Sequence, residues 1–158
     1  MEFETQKQKG KKAEELIRRR LEARGWIVAD VRNHDYFREC DVDFVISNDK
    51  NQSFMVDVKC DTYPPNNFFI ETAKETTERP GRIYRTHADY WLYYFDSADT
   101  LYSFHPPKMR DHLTTNNFRT AKALTNNGGY FSWAIGKLVP IISAPVASVV
   151  TNASNFEQ

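Results

Sequence analysis

The sequence predicts an α/β fold, and two features carry that prediction. An amphipathic helical pattern opens the chain, and short apolar runs of strand length follow it, separated by polar turns. The clearest runs are Asp43-Phe44-Val45-Ile46 and Phe54-Met55-Val56-Asp57-Val58-Lys59. Between them lies Ser47-Asn48-Asp49-Lys50-Asn51-Gln52, so the pair reads as consecutive strands on a tight polar connection. Each run carries an acid where a buried strand would not place one. Side chains alternate along a strand, so Asp57 and Lys59 share one face while Val56 and Val58 share the other. A hairpin that brings Asp43 alongside gathers two carboxylates and one ammonium. That is the minimum for a hard divalent cation beside a group that activates water.

The helical pattern covers Thr5 to Arg24, because Ala13, Leu16, Ile17 and Leu21 recur at helical spacing with charged residues elsewhere. Gly25 supplies the stop, and Gly10 weakens the first two turns. Glu14 falls three residues before Ile17 and seven before Leu21, which places it beside the apolar stripe and looking toward the sheet. Trp26 to Val31 is the first strand, at or near the sheet edge. A polar loop from Arg32 to Cys40 then offers His34, Asp35 and Arg38 as substrate contacts or as plain solvated residues.

Beyond Lys59, the prolines and asparagines of Cys60 to Asn67 exclude regular structure. Phe68-Phe69-Ile70-Glu71 is a strand, and Glu71 either faces the acidic patch or ends the strand in solvent. Thr72 to Arg82 reads as a mobile polar loop. With Arg79, Arg82 and Arg85 it is suited to a phosphate backbone or serves as a connection. Asp89 to Phe95 and Leu101 to Phe104 form a further hairpin, whose dense aromatics suit a core strand better than a base-stacking platform. Pro106 and Pro107 start a helix carrying Met109, His112 and Leu113, and a second helical segment is expected over Asn117 to Leu124. Asn127-Gly128-Gly129 breaks it, Tyr130 to Ile135 and Leu138 to Ile142 are late strands, and the tail from Ala144 is loosely held.

At 158 residues the chain is long enough to bury a core, and it divides into one domain over residues 1–143 and a loosely ordered tail over 144–158. With 41% hydrophobic and 27% charged residues, no membrane-length apolar run and no secretory leader, a cytoplasmic protein of cellular or phage origin with no membrane partner is expected. Cys40 and Cys60 flank the strand pair and are expected to be free thiols. The formal charge is zero, with 21 basic and 21 acidic residues, so no global polycation marks a nucleic-acid partner. Its distribution is uneven: Lys7 to Arg24 has eight basic residues against three acids, and Asp30 to Asp61 has eight acids against four basic residues. A cationic helix beside an anionic pocket suits phosphates on a rim and a metal at the centre, or a merely solvated helix face.

Taken together, Lys9-Gly10 with Ala13-Glu14, Gly25-Trp26, Val42-Asp43-Phe44-Val45-Ile46 and Val56-Asp57-Val58-Lys59 resemble the PD-(D/E)xK nuclease superfamily, in the style of its Holliday junction resolvase branch and of phage or restriction-type endonucleases. The resemblance covers roughly residues 9 to 60, with a weaker echo through Asn67 to Phe95. It implies a restriction-endonuclease-like core, a mixed central β-sheet flanked by helices. It further implies a Mg²⁺-dependent deoxyribonuclease, with Mn²⁺ substituting. Glu14, Asp43, Asp57 and Lys59 would be catalytic, and Asp43, Asp57, the Val58 carbonyl and Glu14 would hold the metal. Lys9, Lys11, Lys12, Arg79, Arg82 and Arg85 would contact DNA. Asp stands at 57 where the branch usually has Glu. Asp41 competes with Asp43 for the motif position, and the preceding Val42 and following apolar run favour Asp43. A homodimer or a targeting partner protein fits this reading, and a catalytically inactive nuclease-fold DNA-binding or assembly protein is the alternative.

Overall fold

A computed structural model describes residues 5–75, 77–127 and 130–151 of the chain. Helix α1 (Gln6–Ala23) is continuous through Gly10, because Thr5 and Gln8 cap each other's backbone in a reciprocal box. Gly25 ends the entry to the sheet at φ +90°, a conformation open to glycine at little cost. Then follow β1 (Ile27–Asp30), α2 (Asp35–Glu39), β2 (Phe44–Ser47), β3 (Ser53–Asp61), β4 (Asn67–Lys74), β5 (Thr77–Pro80) and α3 (Arg82–Arg85). The chain continues with β6 (Tyr90–Phe95), β7 (Thr100–Phe104), α4 (Pro106–Thr115), β8 (Thr120–Asn127), β9 (Tyr130–Pro140) and β10 (Val146–Thr151).

The strands form two sheets. The six-stranded one runs β1-β2-β3-β6-β7-β10 and the four-stranded one β5-β4-β9-β8. In the larger sheet β3 and β6 are parallel and the other pairs antiparallel, so it is mixed, with helices flanking it. Two cores lie on its two faces. On one, Ala13 and Ile17 of α1 close over Phe44, Ile46, Val56, Val58, Leu92 and Tyr94. On the other, Trp91, Tyr93, Phe95 and Phe104 meet Phe68, Ile70 and Val139 from the second sheet, Ile83 from α3 and Met109 from α4. The aromatic stretch of β6 is thus core on both sides, and Asp57 and Lys59 emerge on the face that the second sheet covers.

Several expected elements differ. Arg32 to Cys40 contains the short helix α2 rather than loop alone. Thr72 to Arg82 is not a mobile loop: β4 runs on to Lys74, β5 pairs back on it, and α3 begins at Arg82. The segment expected to be helical over Asn117 to Leu124 is largely strand β8, since Thr120 to Asn127 pair residue by residue with β9. That hairpin ladder outweighs the helical propensity of Ala121, Lys122, Ala123 and Leu124. Strand β9 is one continuous element through Gly136 and Lys137, and Ile141 to Ser143 form a 3₁₀ turn. The break expected at Gly128-Gly129 lies outside the described residues. Within the expected tail, Val146–Thr151 form strand β10, which pairs with β7 and completes the main sheet, and residues 152–158 lie outside the described residues.

Candidate active site

The candidate site begins with β3, held between β2 and β6 at the centre of the larger sheet. Asp57 is 4% exposed and its cross-strand neighbour on β6 is Trp91. A buried carboxylate needs a partner. Lys59 provides one, its Nζ donating to Asp57 Oδ2 at 2.6 Å while lying 4.9 Å from the centre of the Trp91 ring. Two residues apart on one strand face, the pair realises the alternation that the sequence predicts, and the indole holds the ammonium from a second side.

Asp43 stands at the entrance to β2. Its N–H donates to the Val56 carbonyl at 2.9 Å, and its Oδ2 accepts the Val58 N–H at 2.8 Å. The side chain therefore takes over a ladder bond where the strand begins, and this fixes the carboxyl beside Asp57. Burial pushes the Asp43 carboxyl up to about 8, with the Asp57 charge and a hydrogen bond to Asp57 raising it further against the opposing bond from Val58. At neutral pH the Asp43 carboxyl therefore keeps its proton, beside the Asp57–Lys59 pair. Asp41, the alternative motif acid, does not occupy the same strand face: it sits in a turn at φ 53°, ahead of β2.

Glu14 approaches from α1. Its Oε2 accepts from Arg32 Nη1 at 2.9 Å, and Arg32 is also bound to Asp30 at 2.6 Å and stacked 5.1 Å over Phe44. The charge of Glu14 is felt at Asp43, so the acid is near the site with its carboxylate engaged by Arg32. Arg32 was not among the residues the sequence singles out. Its only local signal is the proximity to Asp30, which says nothing about Glu14.

A second set of charges borders the first. Arg82, at the start of α3, is exposed at its surface. Burial of its guanidinium opposes the charge, but Asp57, Asp41, Glu71 and Asp43 together hold its pKa above the ordinary value. Asp41 Oδ2 and Glu71 Oε1 are both buried without a hydrogen-bond partner. Of the other candidate DNA contacts, Lys11, Lys12 and Arg79 are exposed, Lys9 is half-buried at the N-terminal end of α1, and Arg85 is tied to the Pro80 carbonyl at 2.8 Å. His34 packs edge-on to Phe37, and Asp35 and Arg38 pair with each other at 3.9 Å in solvent, so none of these three joins the site. Cys40 and Cys60 are free.

The donor set fits a hard cation. No three His, Cys, Asp or Glu side chains among the described residues stand close enough to hold an ion by themselves. Mg²⁺ requires no such cage, since it binds through one or two carboxylates and fills its remaining positions with water and phosphate. Asp43 and Asp57 offer two carboxyl groups side by side, and an ion there would replace the proton that Asp43 holds.

The larger outline has a counterpart among solved structures. The chain is similar to the structure of a bacterial homing endonuclease, I-Ssp6803I, with a TM-score of 0.50 and 19% identity over 72% of this chain and 75% of that one. No protein-family model and no curated protein sequence matches it. No helix among the described residues is long and apolar enough to cross a membrane.

Proposed function

We propose that this protein is a metal-dependent DNA endonuclease that hydrolyses phosphodiester bonds, with Asp43, Asp57 and Lys59 at its centre. The observation that carries the proposal is the meeting of these three side chains on adjacent strands of the central sheet. Two neighbouring carboxyl groups, with the ionisation of Asp43 opposed by burial and by the charge of Asp57, are costly to stability beside a single ammonium, and packing gives no reason for them. The fold of a homing endonuclease adds support, as does the order of the motifs along the chain.

The scissile phosphate is already anionic, so hydrolysis needs positive charge around it and a positioned water. Asp43 and Asp57, with the Val58 carbonyl beside them, would hold Mg²⁺ or Mn²⁺. When bound, the ion polarises the phosphate and acidifies water. Lys59, fixed by Asp57 and Trp91, places an ammonium where charge develops on the phosphate, and Glu14 at the rim orients the water that attacks. The cationic end of α1, with Lys9, Lys11 and Lys12, draws in the DNA backbone. A homodimer or a targeting protein would supply a second cut or a chosen locus.

Incubation with supercoiled, linear, branched and single-stranded DNA in Mg²⁺ or Mn²⁺ tests the proposal. Wild-type protein should nick or cut at least one of these. Asp57→Ala and Lys59→Ala should each slow it by about 10²–10³-fold or more. Cleavage that persists in both variants at the wild-type rate would remove the site from the reaction.

A further inference from the structure

Arg82 occupies a place that the sequence assigns to a connecting loop, and the fold gives it a different one. The turn before it is pressed onto β4. A Cβ at Gly81 would stand 2.3 Å from the Glu71 carbonyl oxygen and 2.4 Å from the Thr72 carbonyl carbon, so only glycine allows the approach. The Gly81 N–H donates to the Thr72 carbonyl at 2.9 Å. On the other side of Arg82, Ile83 is fully buried in the core that contains Trp91, and its carbonyl accepts from Arg110 Nη1 of α4 at 2.9 Å. The backbone at Arg82 is therefore clamped from β4, from the core and from α4. The residue after it packs against the same indole cluster over which the Lys59 ammonium lies.

Its guanidinium is placed without being used. Asp57, Asp41, Glu71 and Asp43 all act on it electrostatically. Yet among the described residues no carboxylate comes within ion-pair distance of it, and its side chain makes no hydrogen bond. Nearby, Glu71 Oε1 and Asp41 Oδ2 are buried and likewise unpartnered. A structural arginine in such company would close a fork on one of these acids. One held among carboxylates that it does not bond, on a residue that is exposed as a whole, is suited to an anion that arrives from outside.

We propose that Arg82 is a catalytic residue, gripping the non-bridging oxygens of the scissile phosphate from the side of the site opposite α1. This rests on the endonuclease reading given above and goes beyond it, since a backbone contact in a flexible loop would affect only DNA affinity. Arg82 acts on the reacting phosphate itself. Its planar fork matches two phosphate oxygens, which a lysine cannot reproduce. The loss should therefore fall on the rate of cleavage rather than on binding.

The test compares wild type, Arg82→Ala and Arg82→Lys in two measurements: single-turnover cleavage in Mg²⁺, and DNA affinity in Ca²⁺. Arg82→Ala should lower the cleavage rate by about 10²–10³-fold while DNA affinity changes by less than about threefold. Arg82→Lys keeps the charge and so reports even if the alanine variant folds poorly. It should recover no more than about a tenth of the lost rate. Guanidinium chloride at millimolar concentrations should partly restore Arg82→Ala, and sodium chloride at equal ionic strength should not. Two outcomes overturn the inference while leaving the endonuclease reading intact: an unchanged rate in Arg82→Ala, or an affinity loss as large as the rate loss. A wild-type protein that cuts no DNA overturns both.

Discussion

Strand β3 presents two faces that obey different rules. Val56 and Val58, 1% and 7% exposed, turn toward α1 and lie in an apolar layer with Phe44, Leu92 and Tyr94. One residue along in each case, Asp57 and Lys59 turn the other way, where Asp57 is buried and Lys59 partly so. On the first face burial stabilises, by about 1.5–3 kcal/mol for each large aliphatic side chain withdrawn from water. On the second, burial opposes stability, because two carboxylates crowd together and only one ammonium lies in direct contact. A fold maintains the second face only if the first, and the aromatic cluster around Phe68 and Trp91, supply the difference. The contrast separates what holds this chain together from what it is for, and substitutions on either side should divide accordingly.

The largest effect belongs to the apolar face. Phe44 is fully buried between α1 and the sheet and also carries the Arg32 guanidinium over its ring. Phe44→Ala should cost about 3–5 kcal/mol of unfolding free energy, read from denaturant or thermal melts. The cleavage rate per folded molecule should change far less than in Asp57→Ala. Equal losses in both quantities would mean that the two faces are not separable.

Asp43 gives the opposite sign. Its carboxyl is raised from an ordinary value near 3.8 to about 8, so between these values the folded chain keeps a proton that the unfolded chain has released. Stability contributed by this group is full at low pH and is lost as pH rises through that window. Asp43→Asn mimics the protonated acid, since its amide oxygen can still accept the Val58 N–H and its amino group can face Asp57. It should match wild type near pH 4 and exceed it by about 1–3 kcal/mol above pH 8, while abolishing cleavage. A variant no more stable than wild type at pH 9 would show that the two acids do not burden each other.

This contrast also explains how much could be read from the chain. The strand pair 43–59, the alternation that sets Asp57 and Lys59 against Val56 and Val58, the α1 stripe and the aromatic core of β6 all depend on contacts between near neighbours. Periodicity reports these directly. In the second sheet the apolar strands over Phe68 to Glu71 and within Tyr130 to Ile142 are legible, but their pairing across sixty residues or more is not. Their hairpin partners are also concealed, because Thr72 to Pro80 is mostly polar and Thr120 to Leu124 looks helical until β9 is laid beside it. Strand β10 pairs with β7 across more than forty residues, and nothing local in Val146 to Thr151 announces that partner. The place of Arg82 was illegible because it follows from Gly81 meeting β4 and from Ile83 joining the core that contains Trp91. The engagement of Glu14 by Arg32 is a further contact between segments far apart in sequence.

The smallest expected effect tests whether Glu14 belongs to the functional face or to the supporting one. Its ion pair with Arg32 joins two side chains that are 21% and 24% exposed, and such a pair contributes about 1 kcal/mol or less. Glu14→Gln preserves a hydrogen-bond acceptor for Arg32 and removes only the charge, so its melting temperature should stay within a few degrees of wild type. Its charge is nevertheless felt at Asp43 on the neighbouring strand. If Glu14 orients water in the site, the same variant should cleave DNA about 10–100-fold more slowly, with DNA affinity in Ca²⁺ unaltered. If its service is to hold Arg32 over Phe44, Arg32→Ala should lower the melting temperature and Glu14→Gln should leave the cleavage rate unchanged. The conservative variant thus decides which face of the sheet this helical acid serves.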